Sequence, residues 1–338
     1  MKQINRRQFL KTTGSLAIGA AFLGTAGTFV WKLFTSPGSL FHDGTNPVLK
    51  DADGKDLEFV SPYCKTAAFT TPGEISAFDV AGGRIYVAAE NAVSVYSLVG
   101  ELVNNFAVPS DVRDMTFFGQ HLYVLFASRI EVYDLEGNFV RDWKACNEDA
   151  DYCCLTVMES GVYVTDASNK HICQYHLDGS LARFIESPDG FVVPSYCFAI
   201  THVGDTVYCS NPGRHRIEAY TSDGQFVKSF GKSGTEAGAF SGCCNPARLA
   251  SNNAGEILTS EKGIPRVSCY STDGVFHSIL LNQEMLGGGH AAYDVRVAGD
   301  MLVAAGAQKI QVFQFNKDLA IHTLCGACTK DCPMKAMM

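Results

Sequence analysis

The sequence predicts an all-β fold of six repeated blades closed into a ring, a six-bladed β-propeller. Three observations lead there. First, a short strand ending in an aromatic anchor recurs six times, as Val93–Tyr96, Ile130–Tyr133, Ile172–Tyr175, Ile217–Tyr220, Val267–Tyr270 and Ile310–Phe313. The anchors are 37, 42, 45, 50 and 43 residues apart, a period that marks a repeat architecture. Second, glycine stands four residues after each of the first five anchors, at Gly100, Gly137, Gly179, Gly224 and Gly274. Three of these are Asp-Gly pairs, which tolerate positive φ and signal a hairpin turn. Third, each anchor is preceded by ten to twelve residues by another strand residue: Tyr86, Tyr123, Tyr163, Tyr208, Leu258 and Leu302. A four-stranded unit of this size cannot bury both faces alone, whereas six arranged radially can.

Composition agrees with a large packed core. Of 338 residues 46% are hydrophobic and only 18% charged, which excludes disorder as the main state. The formal charge of −8 argues against a nucleic-acid partner. The 13 cysteines are the unusual feature, because an odd total forbids complete pairing within the chain and a high count points to metal, redox or disulfide chemistry.

Residues 1–31 form the first element. Arg6-Arg7 followed by Phe9, Leu10 and Lys11, then an apolar stretch from Leu16 to Trp31, resembles a twin-arginine export signal. That resemblance implies the Tat translocase as a partner, export in a folded state and a periplasmic or otherwise extracytoplasmic location. With no clear Ala-x-Ala cleavage site, the segment is also readable as a retained membrane anchor. The first 31 residues carry four basic and no acidic side chains, so their removal takes the charge from −8 to −12. Residues 32–57 read as a linker, with turn signals at Pro37-Gly38, Asp43-Gly44 and Asn46-Pro47.

The propeller is expected over 58–320. Its blades resemble NHL-type repeats, as in Val162–Asp166 followed by Asn169–Ile172, and in Gly231 with Gly238–Phe240 between blades. The resemblance implies the fold and leaves function open, because such propellers include binding modules, lyases and scaffolds. The segment Asp53–Val60 is expected to supply the strand that closes the ring; the alternative is a seventh blade beginning at residues 48–70.

The last element, 321–338, carries the sharpest chemical signal. Cys325, Cys328, Cys332 and Pro333 fall on the last positions of the bacterial ferredoxin run, and His322 stands where its first cysteine belongs. This ferredoxin-like pattern implies an iron–sulfur cluster, 4Fe-4S foremost and 3Fe-4S as the variant, since soft thiolates favour iron–sulfur or zinc. The fourth ligand is left open among His322, a propeller cysteine such as Cys64, and an open iron site. A structural zinc site or disulfides are the competing readings of the tail. A covalent c-type haem is excluded, because Cys325-Gly-Ala-Cys328 is followed by Thr329 rather than histidine.

Ten cysteines remain. Repeat phase places Cys153, Cys154, Cys197, Cys243 and Cys244 just before the innermost strands of three successive blades, and Cys209 at the end of a second strand. These six form a candidate second cluster around one mouth of the channel, either as a redox or soft-metal site or as inter-blade disulfides. Cys173 and Cys269 read as small buried hydrophobes within strands. Arg113 and Arg248 share a repeat phase and read as solvated loop charges or, alternatively, as anion-binding residues lining the channel mouth. Glu261-Lys262-Gly263 is a candidate ligand-face loop, and His202, His215 and His290 are the histidines a channel metal would need.

The functional expectation is an exported iron–sulfur redox protein on an NHL-like propeller, passing electrons to or from a partner protein. Two other classes stay open: an extracytoplasmic binding module with a zinc or disulfide tail, and a propeller lyase with a channel metal.

Overall fold

The computed structural model describes residues 49–50, 56–57, 61–109, 111–196, 198–288 and 292–316. The twin-arginine-like segment and the tail with His322, Cys325, Cys328 and Cys332 lie outside them, as do Cys197 and His290. Among the described residues no helix is long and apolar enough to cross a membrane.

A small hairpin of β1 (Leu49–Lys50) and β2 (Asp56–Leu57) comes first, followed by β3 (Tyr63–Thr70). Six four-stranded antiparallel sheets make up the rest. Blade 1 is β4 (Ile75–Ala81), β5 (Arg84–Ala89), β6 (Ala92–Ser97) and β7 (Leu102–Ala107). Blade 2 is β8 (Asp114–Phe118), β9 (His121–Phe126), β10 (Arg129–Asp134) and β11 (Phe139–Lys144). Blade 3 is β12 (Tyr152–Met158), β13 (Gly161–Asp166), β14 (His171–Tyr175) and β15 (Leu181–Ile185). Blade 4 is β16 (Ile200–Val203), β17 (Thr206–Asn211), β18 (Arg216–Thr221) and β19 (Phe226–Phe230). Blade 5 is β20 (Arg248–Ser251), β21 (Ile257–Glu261), β22 (Arg266–Tyr270) and β23 (Phe276–Leu281). Blade 6 is β24 (Asp294–Ala298), β25 (Met301–Gly306) and β26 (Lys309–Phe315), completed by β3 from the other end of the chain.

The protein is therefore a six-bladed β-propeller, and the ring closes by pairing the first long strand with the last. That corrects two expectations. Leu49–Lys50 pairs with Asp56–Leu57 as a separate two-stranded sheet rather than as part of a seventh blade, and the closing strand is Tyr63–Thr70 rather than Asp53–Val60, of which only Asp56–Leu57 lies within the described residues. The reason is a contact repeated around the ring. A residue of each outermost strand packs on the turn glycine of the next blade: Phe106 on Gly137, Trp143 on Gly179, Ile185 on Gly224 and Phe230 on Gly274. Closure needs such a residue over Gly100, and Phe69 of β3 supplies it.

The anchors and glycines act together. All six third strands shift register against the fourth strand immediately before the anchor aromatic, at Tyr96, Tyr133, Tyr175, Tyr220, Tyr270 and Phe313. Such a bulge bends the strand and increases its twist, as a radial blade requires. The turn that follows needs positive φ, which lies between 83° and 92° at the five glycines. Second and third strands are buried on both faces because neighbouring blades sandwich them. Every residue of β13 is buried, whereas β7 is almost wholly exposed.

Antiparallel meanders fix two faces. Loops that enter the innermost strands, and those joining second to third strands, lie on one face, called upper here. Turns joining first to second and third to fourth strands lie on the other. The chain leaves β26 for the tail on this lower face, where the Asn316 amide donates to the Pro62 carbonyl (2.8 Å).

Candidate functional site

The innermost strands line a central cavity of about 140 Å³. Its walls come from β8, β12, β16, β20 and β24, and include Asp114, Cys154, His202, Arg248, Asp294 and Arg296. Polar residues gather here because the inner strand of each blade has no blade in front of it, only the channel.

Arg296 organises the charge. Its guanidinium reaches Asp114 (2.8 Å), Asp294 (2.8 Å) and Asp79 (3.4 Å), and lies 5.5 Å from the Phe78 ring centroid. The remaining oxygens are also engaged. Asp79 Oδ2 accepts the Phe117 amide (2.7 Å) and Asp114 Oδ2 accepts the Leu155 amide (3.0 Å). One arginine from blade 6 thus holds carboxylates of blades 1, 2 and 6. Burial pushes Asp79 up to about 6 against the pull of Arg296, and burial likewise raises Asp114. Burial opposes ionisation of Arg296 too, but Asp294, Asp114 and Asp79 outweigh it and hold the guanidinium charged.

On the opposite wall Arg248 donates to Cys154 Sγ (3.3 Å), and His202 Nδ1 pairs with Thr156 Oγ1 (2.7 Å). Burial keeps His202 below the usual imidazole range, so it is neutral at neutral pH. Among the residues that line the cavity, two guanidiniums stand against two carboxylates, so the lining carries no net formal charge.

The other predicted residues are distributed as follows. Cys153 and Cys154 lie within β12 rather than before it, and Cys209 within β17; all three are buried in one apolar cluster between blades 3 and 4. Burial, then Glu218 and the two neighbouring thiols, holds the Cys209 thiol far above its ordinary pKa, so it is no thiolate. Cys243 and Cys244 sit on the upper-face loop before β20 with their sulfurs 3.2 Å apart, and Cys244 Sγ lies 3.3 Å from Ser195 Oγ. No disulfide joins two described cysteines. Cys64 is exposed on β3, opposite Gln314. Cys173 and Cys269 are buried within strands.

Arg113 pairs with Asp151 (3.3 Å), whereas Arg248 lines the cavity, which corrects the expectation of a solvated loop charge for Arg248 in favour of the channel-lining alternative. Glu261 is fully buried in an ion pair with Arg266 (2.7 Å), which makes the Glu261 loop a structural clasp rather than a ligand face. His215 is engaged at the Gly242 carbonyl and does not meet His202; His202 alone among the described histidines lines the cavity. Arg296 and its aspartates escaped sequence reasoning because they do not share the phase of Arg113 and Arg248. The available signal was acid at the start of inner strands, at Asp114 and Asp294.

No family model matches the chain, and no curated protein matches it. Solved structures do. A streptogramin B lyase is 13% identical over 74% of this chain and 97% of its own, with a TM-score of 0.55. The chain shares that propeller fold. A catalytically inactive virginiamycin B lyase from Staphylococcus aureus with quinupristin is 14% identical over 73% of this chain and 98% of its own, TM-score 0.51. A structural genomics protein of unknown function from Bacteroides thetaiotaomicron is 12% identical over 75% and 72%, TM-score 0.53. At these identities the likeness is one of fold.

Proposed function

We propose that this protein is an exported electron-transfer protein whose propeller carries an iron–sulfur cluster on its C-terminal tail. The observation that carries the reading is the run Cys325, Cys328, Cys332-Pro333 in one chain with a twin-arginine-like segment. The donor chemistry fits, since three thiolates at ferredoxin spacing suit soft iron. Bound there, a cluster supplies one-electron transfer. The twin-arginine route moves folded proteins, which suits a cofactor inserted before export to the periplasm.

The described residues support the root of this arrangement. β26 leads the chain out beside β3, where the exposed Cys64 pairs in register with Gln314. Only nine residues lie between Phe315 and Cys325, ten Cα steps that span at most about 36 Å. Cys64 is therefore within reach as the fourth ligand, in competition with His322. The tail starts on the lower face, opposite the Cys243-Cys244 loop, so a redox partner is expected at the lower face and the rim of blade 6.

The test is anaerobic purification with iron and sulfide analysis and paramagnetic spectra. Chain from an iron-competent host should be brown and should lose its signal in Cys325→Ser, Cys328→Ser and Cys332→Ser. A colourless, iron-free protein overturns the proposal. Cys64→Ser and His322→Ala then assign the fourth position by which one changes the spectrum.

The cavity favours a second reading, binding of a small polar ligand in the channel, because Arg248 and Arg296 face the same space as His202. Calorimetric titration with small dicarboxylates tests it, with Arg248→Met as the non-binding control.

A further inference from the structure

Position for position, blade 3 departs from blades 2, 4 and 5 at one pair, whereas blades 1 and 6 carry Ala92 and Ser94, and Lys309 and Gln311, there. Four residues before the anchor aromatic, and two before it, blades 2 and 4 place an arginine and a glutamate. Arg129 Nε meets Glu131 (2.7 Å), and Arg216 Nη2 meets Glu218 (2.6 Å). Blade 5 keeps the arginine, Arg266, and draws its carboxylate from Glu261 on the adjoining strand. In blade 3 the same two positions are His171 and Cys173, and the position matching Glu261 is Asp166. The usual clasp is thus replaced by imidazole, thiol and carboxylate.

That replacement leaves the clasp incomplete. His171 Nε2 is buried with no hydrogen-bond partner, and it lies 3.8 Å from Asp166 Oδ2, beyond hydrogen-bond range. Cys173 and Asp166 are fully buried, and the His171 side chain is 12% exposed. The donor atoms of His171, Cys173 and Asp166 all lie within 4.8 Å of one another. Two ligands about 2.0–2.1 Å from one tetrahedral ion stand some 3.3 Å apart, so the His171–Asp166 gap needs only a small contraction. A fourth potential donor stands beside one of them, Cys173, though outside the 4.8 Å group. Cys146, just past the end of β11, is exposed and lies next to the Cys173 thiol; its amide donates to Tyr175 Oη (3.2 Å).

We propose that His171, Cys173, Asp166 and Cys146 form a zinc-type site between blades 2 and 3. Thiolate, imidazole and carboxylate are all zinc ligands, and four of them without water would close a tetrahedral site, here with a carboxylate where structural sites usually have a third thiolate or a second imidazole. His171 and Cys173, two apart on β14, share one face of the strand; Asp166 faces His171 across the ladder, and Cys146 brings in the preceding blade. Exposed Cys146 marks the entry path. The ion would link two blades where sister blades use an Arg–Glu pair. Asp166 also serves its own turn, accepting the Asp151, Ser168 and Asn169 amides on Oδ1, which leaves Oδ2 oriented toward the site by the Asn169 side chain (2.9 Å). Among the described residues the other such group, Glu256, Cys269 and His277, is already satisfied by the Glu256–His277 pair (2.7 Å) and partly open to water.

The test uses the full chain with Cys325, Cys328 and Cys332 changed to serine, so that the tail cannot take metal. The protein, kept reduced, is stripped with chelator and titrated with Zn²⁺ against a chromophoric competitor; Co²⁺ then reports geometry. One Zn²⁺ per chain, a thiolate-to-cobalt charge-transfer band and a higher melting temperature on loading are expected. His171→Arg writes in the residue of the sister blades, so it should keep the fold by circular dichroism. It should weaken Zn²⁺ by about 100-fold or more, since even the loss of a group behind a ligand costs 10–100-fold. Cys146→Ser, at an exposed position, should weaken binding without unfolding. Zinc retained equally by His171→Arg overturns the proposal. So does a parent chain that binds no zinc, or an unreduced native chain in which peptide mapping finds Cys146 joined to Cys173. Because the tail is disabled throughout, none of these outcomes bears on the iron–sulfur reading.

Discussion

Replacing Arg296 with methionine removes the charge at the centre of the channel while keeping side-chain length and the packing on Phe78. The structure sets the magnitude. Asp114 and Asp294, each 2.8 Å away, and Asp79 at 3.4 Å lose their shared cation, and they belong to three blades, one of which closes the ring. Breaking a buried pair by removing one partner costs 3–5 kcal/mol, and the 17% exposure of Arg296 to the channel places this case near the lower end, at about 3 kcal/mol. For a domain of this size that lowers the melting temperature by about 6–12 °C. Thermal unfolding followed by circular dichroism at pH 7.5 and pH 5 is the assay. The deficit should shrink at pH 5. Burial already raises Asp79 to about 6 and raises Asp114 with Arg296 present, and both rise further without it. The variant then takes up protons on folding and loses its excess charge in acid. A melting temperature within about 2 °C of wild type at pH 7.5, or a deficit equal at both pH values, would refute the reasoning.

Three further outcomes follow from the same structure. Gly137→Ala should cost about 2–4 kcal/mol in denaturant unfolding, because φ is +89° and the new Cβ would sit 2.3 Å from the Phe106 ring; Gly119→Ala, at φ +60° with open space, should cost only about 1–2 kcal/mol. Arg266→Met should cost about 3–5 kcal/mol by stranding Glu261 and the Thr235, Glu236 and Ala239 carbonyls, and the double variant with Glu261→Leu should recover part of that loss. Asp79→Asn should flatten the pH dependence of stability between about pH 4 and 6. A carboxyl whose folded pKa is raised binds its proton more tightly in the folded state, so wild-type stability falls as pH rises through that window.

Much of this fold was legible because a propeller repeats its local rules. The aromatic anchors coincide with six bulges and the glycines with five positive-φ turns, since bulge and turn are short-range features that need particular residues in fixed order. The ring closure was misplaced by several residues, because what selects β3 is contact of Phe69 with Gly100, a residue of the next blade round the ring. Arg248 was legible by phase as a channel residue only as the alternative to a solvated loop charge. The partners of Arg296 were not, because Asp79, Asp114 and Asp294 are far apart in sequence and meet only where the inner strands converge.

By itself the sequence determined the repeat of aromatic anchors and turn glycines that makes a propeller, and the ferredoxin-like spacing of Cys325, Cys328 and Cys332, which are patterns along the chain; it left the blade count between six and seven until the pairing of β3 with β26 closed six. Only the tertiary structure decided which charges share the channel. It alone separated buried Cys209 from Cys243 on the upper-face loop, and brought the donor atoms of His171, Cys173 and Asp166 within 4.8 Å of one another. The reason is physical. Strand periodicity and turn chemistry are set by neighbours in sequence, whereas burial and through-space electrostatics are set by neighbours brought together when the ring closes.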